Sequence, residues 1–305
     1  MAALATRVLG RTGLMATALS FGAMELRGAP RGREIAPEQA DRVLNAVLDG
    51  GINYIDTSID YGQSEEFIGR FISHRRSEYF LATKCGCLVG DIPSVPGQRF
   101  PHNFTRENIV AGVDQSLTRM KTDYLDVVQF HAGPSRNTLE ENDSIATLLD
   151  LKQQGKLRFI GMSSVLPDLA EHIAMGVFDV FQIPYSALER NHEEAISRAA
   201  QAGAGTVIRG GVAKGSSSGE KPEGNSWDLW QHSALDDLLD DMTRMEFILR
   251  FTLTHPGLCT TIVGTLNTDH LFDNLSAAQK GPLPRSTYEE AKRRLGESGI
   301  IPEQP

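Results

Sequence analysis

Eight short runs rich in β-branched and aromatic residues alternate with eight longer stretches of helical period, a rhythm that restricts the chain to strand and helix units around a parallel sheet. After an N-terminal hairpin turning near Gly10 to Gly13, a strand is predicted over Ala18–Ala23. The helix over Pro37–Leu48 follows, with Val43, Leu44 and Val47 on one face and Gly50 and Gly51 as its stop. The next pairs are Asn53–Asp56 with Ser64–Ile72, Phe80–Lys84 with Arg106–Met120, and Leu125–Phe130 with Leu139–Gln154. Then come Phe159–Ser163 with Asp168–Met175, Val180–Pro184 with Glu193–Ala202, Thr206–Arg209 with Ala234–Thr254, and Thr260–Val263 with Asp269–Ala278. Eight consecutive units without a linker-like break predict one closed α/β architecture, a (β/α)8 TIM barrel forming a single domain over residues 1–305.

Composition narrows the partners. Lys and Arg number 30 against 39 Asp and Glu, and the net charge of -9 weakens the electrostatic attraction that nucleic acid or an anionic membrane requires. The three cysteines, Cys85, Cys87 and Cys259, cannot all pair with one another, and C-x-C without further ligands at finger-like spacing predicts no metal site. The opening MAALATRVLG has no basic segment leading into a long apolar stretch, and no apolar run reaches the roughly 18 residues of a membrane span. A cytoplasmic protein, neither exported nor embedded, is the expectation.

Two connections are too long for simple turns: Cys85–Thr105, and Gly210–Ser233 with both tryptophans. Both follow strands and so belong to the face where barrel enzymes keep their chemistry. Four polar side chains converge there from three successive strands: Asp56 and Tyr61 in NYIDTSIDYG, Lys84 in FLATKCG and His131 in VVQFHAG. Adjacent strands lie about 4.8 Å apart, so groups at their C-terminal ends share one mouth. The set suits proton transfer to a carbonyl oxygen during hydride addition. Tyr61 is the general acid, too weak alone at a pKa of roughly 10. Lys84 stabilises the phenolate, Asp56 holds Lys84, and an uncharged His131 orients the substrate oxygen.

At these residues the chain resembles the aldo-keto reductase family, whose members are nicotinamide-dependent carbonyl reductases on (β/α)8 barrels. The resemblance runs nearly end to end through VLGRTGL, LSFGAM, GGINYIDTSIDYGQSEEFIGR, LATKCG, TDYLDVVQFH, GKLRFIGMSS, FQIPYS and FTLTHPGLCTTIVGTLNTDHLFDNL. It implies that the catalytic tetrad is Asp56, Tyr61, Lys84 and His131, and that the cofactor is NADP(H) or NAD(H). No G-x-G-x-x-G follows a strand, so a Rossmann account has no support. The resemblance puts Ser163 and Gln182 on the nicotinamide carboxamide, and Gly264, Thr265 and Asn274 at the adenosine end. The loop after strand seven adds Gly210, Gly211 and Lys214.

Departures from the family pattern carry information. Ser164 stands where an asparagine is common, and Leu266 and His270 replace the basic or amide residues common around the adenosine 2′-phosphate, which leaves NADH a rival to NADPH. Arg209 stands where an aromatic commonly stacks on the nicotinamide. Its alternative is a rim ion pair. Met24, Cys85, Trp227 and Trp230 are expected to line the pocket for a small carbonyl or alcohol substrate, the tryptophans as an apolar clasp. Two other readings compete with the oxidoreductase: a nucleotide-binding regulatory or structural barrel of weak activity, and a barrel lyase using Lys84 as a Schiff base.

Overall fold

The computed structural model describes residues 3–30, 32–90, 100–213 and 226–303, with the side chains of Ser226 and Trp227 left aside. Strands β1 (Thr6–Val8) and β2 (Met15–Thr17) pair antiparallel as a separate hairpin. The remaining strands are β3 (Leu19–Gly22), β4 (Tyr54–Asp56), β5 (Phe80–Cys85), β6 (Leu125–Phe130), β7 (Leu157–Ser163), β8 (Val180–Pro184), β9 (Gly205–Arg209) and β10 (Thr260–Val263). They close into a parallel barrel in chain order, with β10 pairing β3. All their C-terminal ends therefore meet at one mouth.

The helices are α1 (Pro37–Asp49), α2 (Ser64–Phe71), α3 (Arg106–Met120), α4 (Arg136–Glu141), α5 (Ser144–Gln153), α6 (Asp168–Met175), α7 (Glu193–Gln201), α8 (Ser226–His232), α9 (Arg244–Thr254), α10 (Thr268–Gln279) and α11 (Arg285–Glu297). Proline at the first turn starts α1, where its missing N–H costs nothing, and Val43, Leu44 and Val47 are buried as their spacing predicts.

Three helix expectations need correction. The stretch Leu139–Gln154 is two helices, because Asp143 takes a left-handed φ of 50° between α4 and α5, and the Ser135 hydroxyl caps α4 by accepting from Thr138 N. The stretch Ala234–Thr254 is likewise interrupted: a short 3-10 turn spans Leu235–Leu238, Ala234 and Asp240 have positive φ, and Thr243 caps a later start of α9. Helix α11 went unforeseen. It buries Tyr288, Ala291 and Leu295, and its Tyr288 ring lies 4.8 Å from that of Phe251.

The hairpin seals the bottom of the barrel. Leu9, Leu14 and Ala16 pack with Tyr54, Ala82, Val127, Val180 and Val207 in a small buried cluster separate from the main core, which lies between strands and helices. At Gly10, with φ of +51°, an added Cβ would meet Gly205 N at 2.2 Å, so only glycine lets the hairpin press against β9.

Candidate active site

The strand period of two turns that apolar plug into a polar layer one step higher. Two residues beyond Tyr54, Ala82, Val127, Val180 and Val207 stand Asp56, Lys84, Gln129, Gln182 and Arg209, on the same inward face and nearer the mouth. The ladder aligns them: Lys84 pairs with Gln129, and Ser163 with Gln182.

At the centre, Lys84 Nζ donates to Asp56 Oδ1 at 2.6 Å and to Thr57 O at 2.8 Å, and the other carboxylate oxygen accepts from Gln129 Nε2 at 2.8 Å. Both charged side chains are at most 2% exposed. Burial works against the Lys84 ammonium, but Asp56 first, then Tyr61 and Asp60, outweigh it and hold its pKa above the usual lysine value. That direction favours the ammonium form, opposite to the lowered pKa that a Schiff-base lysine requires. Gln129 was not singled out from sequence. Its signal was its place two residues before His131 on the inward face, and Gly161 makes room for it, since a Cβ there would sit 2.9 Å from Gln129 Cγ.

Tyr61 hangs on the turn between β4 and α2, where Tyr61 N donates to Ser58 O at 3.0 Å. Gly62 must follow it, because its φ is +47° and a Cβ would lie 2.1 Å from Arg27 O. The Lys84 ammonium is 4.9 Å from the Tyr61 ring centre. Burial raises the Tyr61 pKa, Lys84 pulls it down, and Asp56 and Asp60 add to the rise, leaving a net increase. The expected influence of Lys84 is present in direction, and burial outweighs it.

The His131 ring meets Tyr61 edge-on, with the ring centres 6.2 Å apart. Burial is the main reason its pKa is pushed down to about 3, with Lys84, His102 and Arg209 adding to the fall against Asp60. The imidazole is neutral. Its Nδ1 lies 3.2 Å from Cys87 Sγ, a thiol that burial and then Asp60 keep protonated. The thiol donates, Nδ1 accepts, and the ring proton stays on Nε2.

Gln182 Nε2 is buried with no hydrogen-bond partner among the described residues, and Gln182 Oε1 accepts from the Ser163 hydroxyl at 3.3 Å. Arg209 ends β9 half-buried, and its guanidinium makes no ion pair among the described residues. Among the described residues the rim ion-pair alternative thus has no observed partner. Gly210, with φ of +72°, follows it, while Gly211 is a packing glycine: its carbonyl accepts from Thr252 Oγ1 at 2.8 Å, and a Cβ would strike Thr261 Oγ1. Beyond β10, Gly264 is exposed and Thr265 Oγ1 accepts from Asn267 N at 3.0 Å. Asn267 in turn caps α10, which carries exposed His270 on its first turn and half-buried Asn274 on its second. Met24, 40% exposed, lies just past β3 at the mouth.

Several pocket expectations change. Cys85 alternates outward from Lys84 and is fully buried in the main core between strands and helices, so the cysteine facing the site is Cys87. Trp230 is no clasp: it is fully buried against Phe247, with Nε1 donating to Asp236 Oδ1 at 2.9 Å. Leu266 packs in the core at 3% exposure, and its carbonyl accepts from Gln39 Nε2 at 3.1 Å. Lys214 and the Trp227 side chain lie outside the described residues.

Comparison with known proteins agrees with this fold. A sequence profile described as the Aldo/keto reductase family matches residues 18–294. The uncharacterized oxidoreductase YqkF of Bacillus subtilis (strain 168) is 28% identical over 304 residues, 94% of each chain. L-galactose dehydrogenase of Arabidopsis thaliana is 32% identical over 177 residues, 55% of this chain and 50% of its own length. Among solved structures, aldo-keto reductase AKR11C1 from Bacillus halodurans in its holo form superposes with a TM-score of 0.83 at 28% identity, over 95% of this chain and 96% of that one.

Proposed function

The chain belongs to the aldo/keto reductase family of oxidoreductases, and from that premise we propose that it interconverts a carbonyl compound and its alcohol using a nicotinamide dinucleotide, with Tyr61 as the proton donor and acceptor. The observation that carries the reading is the buried Lys84 ammonium, held between the Asp56 carboxylate and the Tyr61 ring. The residues present fit the nicotinamide end of the cofactor. A carboxamide oxygen answers the orphaned Gln182 Nε2, and the Ser163 hydroxyl stands beside it. When bound, the dinucleotide supplies or takes the hydride at the substrate carbon.

The chain's own groups manage the proton. In reduction the Tyr61 hydroxyl passes its proton to the carbonyl oxygen, the C=O becomes CH–OH, and the phenolate left behind faces the Lys84 ammonium until water returns the proton. His131 donates its Nε2–H to the same oxygen and stabilises charge developing there. Asp56 and Gln129 keep Lys84 in place and do not touch substrate. Neither position 266 nor position 270 offers an arginine or lysine to a 2′-phosphate, so NADH and NADPH are expected to bind with similar affinity.

The test is Tyr61→Phe, assayed on an aldehyde and quinone panel after titration with both dinucleotides. Turnover should fall by roughly 10²–10⁴-fold while dinucleotide affinity changes only a few-fold. Activity above a tenth of wild type removes Tyr61 from this role. A wild-type protein that binds dinucleotide yet turns over nothing favours the regulatory reading.

A further inference from the structure

Four metal-ligating groups gather around the Nδ1 edge of the His131 ring. Asp60, Cys87, His102 and His131 each present one ligand atom, and all four atoms lie within 4.8 Å of one another. Two separations are close to those of a tetrahedral zinc site: Cys87 Sγ to His131 Nδ1 is 3.2 Å and His131 Nδ1 to Asp60 Oδ1 is 3.6 Å. Bonds of about 2.0–2.3 Å to sulfur, nitrogen and oxygen place tetrahedral ligands roughly 3.3–3.7 Å apart. Asp60 and Cys87 are buried, and the two imidazoles are partly so.

The scaffold around the donors is built rather than incidental. A backbone bridge pairs Cys87 with His102, so the second histidine is held beside the thiol although it lies 15 positions further along the chain. Asn108 Nδ2 clamps the same junction by donating to Cys87 O at 3.0 Å and to Asn103 O at 2.7 Å. The Ser58 hydroxyl donates to Asp60 Oδ1 at 2.6 Å, and the His102 ring stacks on Phe104. Partners of this kind orient metal ligands and raise their affinity.

We infer that Asp60, Cys87, His102 and His131 form a binding site for a divalent transition ion of the Zn²⁺ class. One thiolate, two imidazoles and one carboxylate make a mixed donor set that favours zinc, cobalt(II) or copper over magnesium or calcium. Binding expels the Cys87 proton to solvent and consumes the Nδ1 lone pair of His131. The ring proton stays on Nε2. The proposed site departs from the sequence expectation of no metal site, which weighed C-x-C alone: Cys85 points away, and the other three donors come from separate turns.

The site is tested on the full-length, metal-stripped, reduced protein by titration with Co²⁺ followed by competition with Zn²⁺, with no dinucleotide or carbonyl present. The outcome is therefore independent of the proposed oxidoreductase chemistry. Wild type should show a thiolate-to-cobalt charge-transfer band and the intense ligand-field bands of four-coordination, both abolished by Zn²⁺. Cys87→Ser should lose the charge-transfer band, and His102→Gln should weaken binding about tenfold or more. Cys259→Ser, altering a thiol on the other side of the barrel, should change neither. A weak six-coordinate spectrum without the thiolate band overturns the site, as does a band lost in Cys259→Ser and kept in Cys87→Ser. Should Cys87→Ser fail to fold, undiminished Co²⁺ affinity in His102→Gln overturns it alone.

Discussion

Replacing Lys84 by Met removes one charge from a pair that water does not reach, and the size of the penalty follows from what is left behind. Methionine fills nearly the same volume, so packing itself should change by less than about 1.5 kcal/mol. Asp56 keeps one donor, Gln129 Nε2, but Oδ1 loses its 2.6 Å partner, and Thr57 O loses its 2.8 Å side-chain donor. Breaking a buried pair from one side costs about 3–5 kcal/mol, because the remaining carboxylate stays desolvated. Lys84→Met should therefore lower stability by about 4 kcal/mol, read as a shift of the urea midpoint at neutral pH. Asp56→Asn should also be costly, leaving the ammonium with one neutral acceptor and Thr57 O. The double variant should cost about 2 kcal/mol or more less than the sum of the singles, since it leaves no uncompensated charge. A coupling below about 0.5 kcal/mol, or a Lys84→Met protein within about 1 kcal/mol of wild type, would mean that water enters the layer and that the pair is not a desolvated one.

Two further expectations concern other charges. Glu193 accepts from Arg190 at 2.7 Å and pairs with Lys292 of α11; burial raises its pKa, yet Arg190 and then Lys292 bring it below the usual carboxylate value. A depressed folded pKa stabilises above the unfolded value of roughly 4.3 and loses that contribution as pH falls through the folded one, so Glu193→Gln should cost about 2 kcal/mol at neutral pH. Denaturation at a series of pH values should show the gap to wild type closing on acidification; a gap independent of pH refutes the link. If the Arg209 guanidinium stands about 4–6 Å from the nicotinamide, it disfavours the cationic oxidised ring by roughly 3–4 kcal/mol before screening at an effective dielectric near 20. Arg209→Tyr should then shift the ratio of oxidised to reduced dinucleotide affinity about fivefold toward the oxidised form, and an unchanged ratio in binding titrations places the guanidinium away from the ring.

What the sequence revealed and what it hid divide along the line between strands and loops. Asp56, Lys84, Gln182 and Arg209 occupy fixed positions in a period-two pattern, so finding the strands located them, and the same rule identifies Gln129 once the inward face is known. The rule also shows Cys85 pointing outward, a consequence of alternation that its proximity to Lys84 obscured. The cluster of Cys87, His102, Asp60 and His131 was invisible because the Cys87 to His102 bridge belongs to no regular strand, and no short-range pattern encodes it. Trp230 misled for a related reason. A polar neighbourhood in sequence suggested exposure, whereas Phe247 and Asp236 supply a buried apolar wall and a partner for the indole N–H. Helix breaks at Asp143 and Ala234 rest on left-handed non-glycine residues, a conformation that residue type alone does not announce.

The hairpin at the foot of the barrel belongs to the same argument as the chemistry at its mouth. Leu9, Leu14 and Ala16 close the lower end against Tyr54, Ala82, Val127, Val180 and Val207, so the polar layer directly above is shielded from below. In this buried layer the Lys84 and Asp56 charges keep a strong mutual field, and burial favours the uncharged forms of the neighbouring Tyr61 and His131. On the proposed reading, a neutral phenol beside the Lys84 ammonium and a neutral imidazole with its proton on Nε2 act as two donors to one oxygen. Neither has to change protonation state before substrate arrives, and the preorganisation traces back to the apolar plug beneath them.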